Sequence, residues 1–295
     1  MNVRFTILSL SLAAASAAPA SLIFYAPMDN PYVGAGAGTD TTANGAYTVV
    51  NRAGTGNGSA QDFLNGGATA SAHVTSGGTG QIGQALTFDL TSQGSNRALT
   101  FGDILDIGTG DYTVSLWYNT PTTSGLQFIG GKGNQGSGNA GWSFFIENGT
   151  LIARVGGGSA ANRASQSTAA PAADTWNHLA MSIDNTAGTV TAYLNGTNTG
   201  WNNGGGGPST NAFTAGTNID VTNPLAFAIR TDGTQEFRGY LDEILIYDEA
   251  LGAGQIESLY ARGLAGITVP EPSRGLLAAI GIGAALLYRR RSRLI

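Results

Sequence analysis

The sequence contains no cysteine. That excludes a disulfide framework, a thiolate nucleophile and cysteine-ligated zinc. A chain without disulfides must stabilise itself by burial or by a bound hard cation. Histidine is almost as scarce: His73 and His178 are the two present, too few for a histidine-rich metal site. Charged residues make up 11% of the chain, and lysine occurs once, at Lys132. Residues 21–268 hold 8 Lys+Arg against 18 Asp+Glu, a net charge of −10, while the full chain carries −5. A body this acidic is a poor partner for nucleic acid and repels anionic membrane surfaces.

What the chain has in quantity is glycine, 45 residues in 295, alongside 42% hydrophobic residues. The hydrophobic content is enough for a core. High glycine with little charge points to short strands joined by many turns. Between about 22 and 250 the pattern has period two, broken by turn residues. Strands are predicted at 22–28, 85–88, 99–101, 113–118, 128–129, 142–146, 151–155, 176–183, 190–194, 225–229 and 240–247. Alternation sets Val114, Leu116 and Tyr118 on one face. It separates Trp176 and His178 from Leu179, Met181 and Ile183. Trp117 and Trp176 read as core aromatics on strands. Asn195-Gly196 is a tight-turn signal. One short helix is predicted over 253–262, where Ile256, Leu259 and Tyr260 make an apolar stripe. The fold class is therefore all-β, a jelly roll or related sandwich with one short C-terminal helix. Residues 31–82 and 198–218 read as long Gly/Asn/Thr-rich loops.

The two ends read as addresses. Residues 1–20 have the layout of a signal peptide: Arg4, an apolar run over 5–15, and Ala18-Pro19-Ala20 before Ser21. Residues 264–295 form a three-part tail. Val269-Pro270-Glu271-Pro272 comes first, then an uncharged apolar helix over 275–288, then Arg289, Arg290, Arg291 and Arg293. The apolar run is shorter than the ~20 residues that cross a bilayer comfortably. The arginines would hold that end on the cytoplasmic side. The tail resembles the PEP-CTERM sorting signal. The resemblance implies export, transient retention in the inner membrane, and removal of the tail by an exosortase-type sorting machinery, with Pro270, Glu271 and Pro272 as the processing motif. The destination would be the cell surface or extracellular matrix. An ordinary single-span anchor gives the same topology.

Residues 21–263 resemble a LamG-like, concanavalin A-like jelly-roll domain. The phrases that carry the resemblance are Gly83-Gln84-Ala85-Leu86-Thr87-Phe88, Tyr112-Thr113-Val114-Ser115-Leu116-Trp117 and Trp176-Asn177-His178-Leu179-Ala180. They continue with Val190-Thr191-Ala192-Tyr193-Leu194-Asn195-Gly196 and Gly239-Tyr240-Leu241-Asp242-Glu243-Ile244-Leu245-Ile246-Tyr247. Such sandwiches often hold one Ca²⁺ where the N-terminal segment meets a late strand. The resemblance places that ion at Asp242 and Asp29, with loop carbonyls near Asn30 completing the shell. The alternative is that Asp242 pairs with an arginine such as Arg238 and that Asp29 is a turn former.

Related folds include glucanases, so catalysis is weighed directly. A retaining glucanase needs two carboxylates about 5 Å apart. The strand over 142–146 offers Glu147 without a partner at alternating positions. Asp242 and Glu243 are adjacent and, on a regular strand, point to opposite faces. Asp103, Asp106 and Asp111 sit among glycines as turn formers. No nucleophile elbow accompanies His73 or His178, and the glycine run 204–207 lacks a P-loop ending. No catalytic residue is assigned. The expected function is a non-catalytic surface or matrix module binding an extracellular polysaccharide or glycan. Trp201 would stack on a sugar face while Asn202 bonds its hydroxyls; the competing reading tucks Trp201 onto its own sheet. Alternatives are a purely structural matrix protein and, less favoured, a concanavalin A-like glycoside hydrolase.

Overall fold

The computed structural model describes residues 20–29, 33–34, 48–53, 58–62, 74–88, 97–133, 140–159, 162–203, 212–230 and 232–269. Residues 1–19 of the segment 1–20 expected to be a signal peptide, His73 and Asn30 lie outside the described residues. So do Pro270, Glu271, Pro272 and the rest of the C-terminal tail. No helix among the described residues is long and apolar enough to cross a membrane.

The strands are β1 (Leu22–Ala26), β2 (Val33–Gly34), β3 (Thr48–Val49), β4 (Gly58–Asp62), β5 (Val74–Thr79) and β6 (Gln84–Phe88). Then come β7 (Arg97–Thr100), β8 (Tyr112–Asn119), β9 (Leu126–Lys132), β10 (Ala140–Glu147), β11 (Thr150–Gly157) and β12 (Arg163–Ala169). The last are β13 (Asn177–Asp184), β14 (Thr189–Leu194), β15 (Asn202–Asn203), β16 (Leu225–Phe227) and β17 (Gly239–Tyr247), followed by helix α1 (Ala253–Leu264). Among the described residues, one sheet of seven strands runs β14-β13-β8-β17-β6-β5, with β1 also on β17. The other, of ten, runs β15-β12-β11-β10-β9-β16-β7-β4-β3-β2. The pairings are antiparallel.

Period-two alternation builds the core between the sheets. Val114, Leu116 and Tyr118 of β8, Leu179, Met181 and Ile183 of β13, and Leu241, Ile244 and Ile246 of β17 belong to the same buried cluster as Trp142, Phe144 and Ile146 of β10 and Leu151, Ala153 and Val155 of β11. The Asn148-Gly149 turn between β10 and β11 takes positive φ at both residues (48° and 82°), the twist a two-residue hairpin wants. Asn195 and Gly196 do the same at 51° and 78°. The free edge of β14 is blunted by side chains: Gln166 accepts from Ala192 N (2.6 Å) and Asn198 donates to Ala192 O (2.6 Å).

A second cluster lies on the outer face of the seven-stranded sheet, where Tyr25, Ala180, Tyr193, Leu245, Tyr247 and Leu251 pack with Ile256 of α1. Trp117 is buried under this helix, not between the sheets: its ring stacks on Tyr260 (centroids 5.7 Å, 23°), and Gly263 gives it room. Trp176 is half-buried and belongs to neither cluster. Its strand face looks outward, so alternation placed it correctly while the core assignment did not hold. The segment expected to be loop over 31–82 carries strands at 33–34, 48–49, 58–62 and 74–79. Apolar patterning does not reveal Val74-Thr75-Ser76-Gly77-Gly78-Thr79, because Val74 is its one apolar residue, buried in the main core, while the strand is otherwise defined by backbone pairing to β6.

Candidate functional site

β17 changes partner along one edge. Residues Gly239 to Leu241 pair with β6, and Ile244 to Tyr247 pair with β1. At the handover the register with β8 slips between Asp242 and Leu245, and Glu243 takes a positive φ of 48°. This is a β-bulge, and it breaks the alternation expected of Asp242 and Glu243. Both acids are buried, and the Glu243 charge is among the causes that raise Asp242.

Three segments close on the bulge. Met28, buried in the core, adopts φ 60° and turns the chain out of β1, so that the Asp29 carboxylate accepts from Gln84 N at 2.7 Å. The turn between β5 and β6 supplies Ile82 N to Asp242 Oδ2 at 2.9 Å. Gly80 and Gly83 are needed there. A Cβ on Gly80 would sit 2.7 Å from Asp242 Oδ2, and one on Gly83 would collide with Asp29 Oδ1. The third segment holds Asn51, whose side chain accepts from Tyr25 N (3.1 Å), and Arg52, whose N–H donates to Tyr25 O (2.8 Å). Tyr25 in turn donates to both Glu243 oxygens at 3.0 Å.

The electrostatics are those of a crowded acid pocket. Burial pushes Asp242 well above the usual carboxylate range; the Ile82 amide and, to a smaller extent, the Glu243 amide offset this in part, while the charges of Glu243 and Asp29 push it further. Burial also pushes Glu243 up to about 8, opposed by the Tyr25 hydroxyl, reinforced by Asp29 and eased by Arg52. Asp29 is raised by burial, against the Gln84 amide and Arg52. Asp242 Oδ1 is buried with no hydrogen-bond partner. A buried acceptor left unpaired is costly, and among carboxylates it invites a proton or a cation. No group of three or more Asp, Glu, His or Cys side chains converges to hold a metal among the described residues. Asp29 and Asp242 would therefore need oxygens from backbone and water, which calcium accepts readily.

The other expected residues are scattered. Trp201 is half-buried against the main core with its indole Nε1 buried and unpartnered, and Asn202 is exposed on the short strand β15. His178 is fully buried, bonded through Nε2 to Ser115 Oγ at 2.8 Å. Glu147 is exposed at the end of β10. Asp103 and Asp106 are more than turn formers: both reach the Lys132 ammonium (2.6 and 2.8 Å), which is itself buried. Asp111 accepts from Thr186 N at 2.8 Å. Sequence reasoning missed Glu243, Tyr25 and the 80–84 turn. The signal for the turn was two glycines flanking Gln81-Ile82 ahead of a strand. The signal for the bulge was a three-residue step between the apolar positions Leu241 and Ile244.

Two packed antiparallel sheets with a helix on one outer face define a jelly-roll β-sandwich. The family model of the concanavalin A-like lectin/glucanases superfamily matches residues 93–257, more than half of the chain, and the chain belongs to that family. No curated protein matches it in sequence. Among solved structures, the binding domain of botulinum neurotoxin DC in complex with SialylT is similar at TM-score 0.52 and 14% identity, over 82% of this chain and 52% of that one. The receptor-binding domain of botulinum neurotoxin D gives 0.51 and 14% over 82% and 52%. The binding domain of serotype G gives 0.51 and 15% over 81% and 50%. At these identities the likeness is one of fold, and the chain spans about half the length of the binding domains it matches.

Proposed function

We propose that the protein is an exported, non-catalytic binding module for extracellular carbohydrate, tied together by one structural calcium ion. The observation that carries the calcium is the buried Asp242 carboxylate, one oxygen held by Ile82 N and the other without a partner, facing the charges of Asp29 and Glu243. Asp242 and Asp29 would supply the charged ligands. The ion would contribute no chemistry beyond charge neutralisation and cross-linking of the segments around it. Carbohydrate as ligand is supported by the family and by a fold that serves as a binding domain in the toxin structures. A non-catalytic role is supported by the outward face of β10–β12. Among the described side chains of that face, which include Ser143, Phe145, Ile152, Arg154 and Arg163, Glu147 is the sole acid, whereas hydrolysis would need two.

Calorimetry on the full chain tests the ion. Calcium at about a hundred times its Kd should raise the melting temperature by about 5–10 °C, and EDTA should reverse the gain. Asp242→Asn should abolish the response. A melting curve indifferent to both calcium and EDTA would remove the site. Export with loss of the tail rests on the layouts of residues 1–20 and 264–295. The intact mass of the protein from its native host should correspond to a chain starting near Ser21 and ending near Pro270; a mass that retains Arg289 to Arg293 would overturn that part.

A further inference from the structure

Trp176 and Tyr240 are the aromatic residues at one end of the outer face of the seven-stranded sheet. Their ring centroids are 6.1 Å apart at an interplanar angle of 50°. Both are half-buried, and neither belongs to the buried clusters between the sheets or under α1. Large aromatics on a strand normally go to one of those places, because each buries a large apolar area. These two lie instead across Asn119, the last residue of β8. Tyr240 pairs directly with Asn119 on one side and with Thr87 of β6 on the other. Trp176 immediately precedes β13, whose Asn177 pairs with Tyr118.

The surrounding backbone is shaped around this row. Asp174, at φ 58°, donates its N–H to Thr120 O (2.8 Å), which pins the turn before Trp176 onto the end of β8. Gly239 carries φ 144°, and a Cβ there would collide with Asn119 O, so glycine lets β17 close on Asn119. Gly78 leaves the Tyr240 ring clear, since a Cβ there would lie 3.2 Å from its Cε1. Asn119 Oδ1, within the row, is buried and has no hydrogen-bond partner.

We infer that the row Trp176–Asn119–Tyr240–Thr87 is a carbohydrate-binding platform for an uncharged sugar of an extracellular polysaccharide. This rests on the carbohydrate reading above and gives it a place. Two aromatic faces offer stacking to the C–H face of a pyranose, while the Thr87 hydroxyl offers a hydrogen bond to its rim. The row carries no formal charge, which matches a neutral ligand and gives an anionic one no counter-charge. The platform lies away from Trp201, whose indole is packed against the core.

Affinity gel electrophoresis of the full chain in gels containing laminarin, xylan, arabinan or galactomannan tests the assignment. At least one polymer should retard the protein. Trp176→Ala and Tyr240→Ala should each weaken that retardation about tenfold, as loss of a central aromatic anchor does. Trp201→Ala should leave it within about twofold. Thermal melts of each variant identify any that fails to fold, and Tyr240→Phe, which keeps the ring, should retain binding. Retardation unchanged in both Trp176→Ala and Tyr240→Ala would overturn this site while leaving the carbohydrate reading intact. No retardation by any polymer would overturn that reading and the site with it.

Discussion

His178 shows how a single side chain sets a pH limit on the fold. It sits between Trp117 (centroids 5.2 Å) and Tyr260 (5.9 Å), with Nε2 bonded to Ser115 Oγ and Nδ1 buried without a partner. The groups facing it are Ser115 and Trp117 from β8 and Tyr260 from α1, none of them an acid. Burial pulls its pKa from 6.5 down to about 3. A histidine with a depressed folded-state pKa binds more protons when unfolded, so its contribution is fully present above the unfolded pKa and is lost as pH falls through the window from 6.5 towards 3. Integrated over that window, the loss reaches about 2 kcal/mol by about pH 5. Urea unfolding at about pH 7 and about pH 5 measures it, and His178→Gln should flatten the difference. An equal drop in the variant would show that other groups set the acid limit. Glu243 acts with the opposite sign: burial raises it from 4.5 to about 8, so its contribution is fully present below 4.5 and is lost as pH rises from there to about 8.

At the scale of elements, legibility followed burial. Strands whose side chains alternate between core and outer face were readable from period two: 113–118 falls within β8, 142–146 within β10, 151–155 within β11, and 190–194 within β14. The helix was readable too, because Ile256 and Tyr260 form the stripe that meets the sheet; it ends two residues beyond the expected boundary, at Leu264. Period two also set Trp176 and His178 on the outer face but carried no information on what covers that face. His178 lies under α1, whereas Trp176 stays half-exposed. What alternation could not supply was irregularity. The bulge at Asp242 and Glu243 depends on β6 and β1 meeting on the same edge of β17, a long-range fact with no local signature beyond the step from Leu241 to Ile244. Strands β2 to β5 were illegible because they are short or rich in Gly, Ser and Thr, and isolated apolar residues such as Val49 and Val74, though buried in the core, make no period-two signal.

Over the whole molecule, the acid pocket is where distant parts of the chain are joined. Tyr25 and Glu243, 218 positions apart in sequence, meet there, and the same few residues gather the end of β1, the segment around Asn51 and the turn between β5 and β6. In a chain without disulfides, an ion at this junction would act on loops that are long and costly to close. In the opposite sheet β9 to β12 stand apart from that junction: β10, β11 and β12 pair in continuous registers, β9 joins β10 through one irregularity at Phe144–Phe145, and their inner faces are buried in the main core. Local opening energies should therefore separate when the ion is withdrawn. Hydrogen exchange followed by mass spectrometry on the full chain, in millimolar calcium and in excess EDTA, reads this directly. Protection should fall first in peptides covering 22–29, 50–53 and 80–88. Peptides covering 142–155 should keep theirs until global unfolding. Loss of protection spread evenly over both sheets would mean that the pocket contributes only to global stability, and no change in either condition would mean that no ion joins these segments at all.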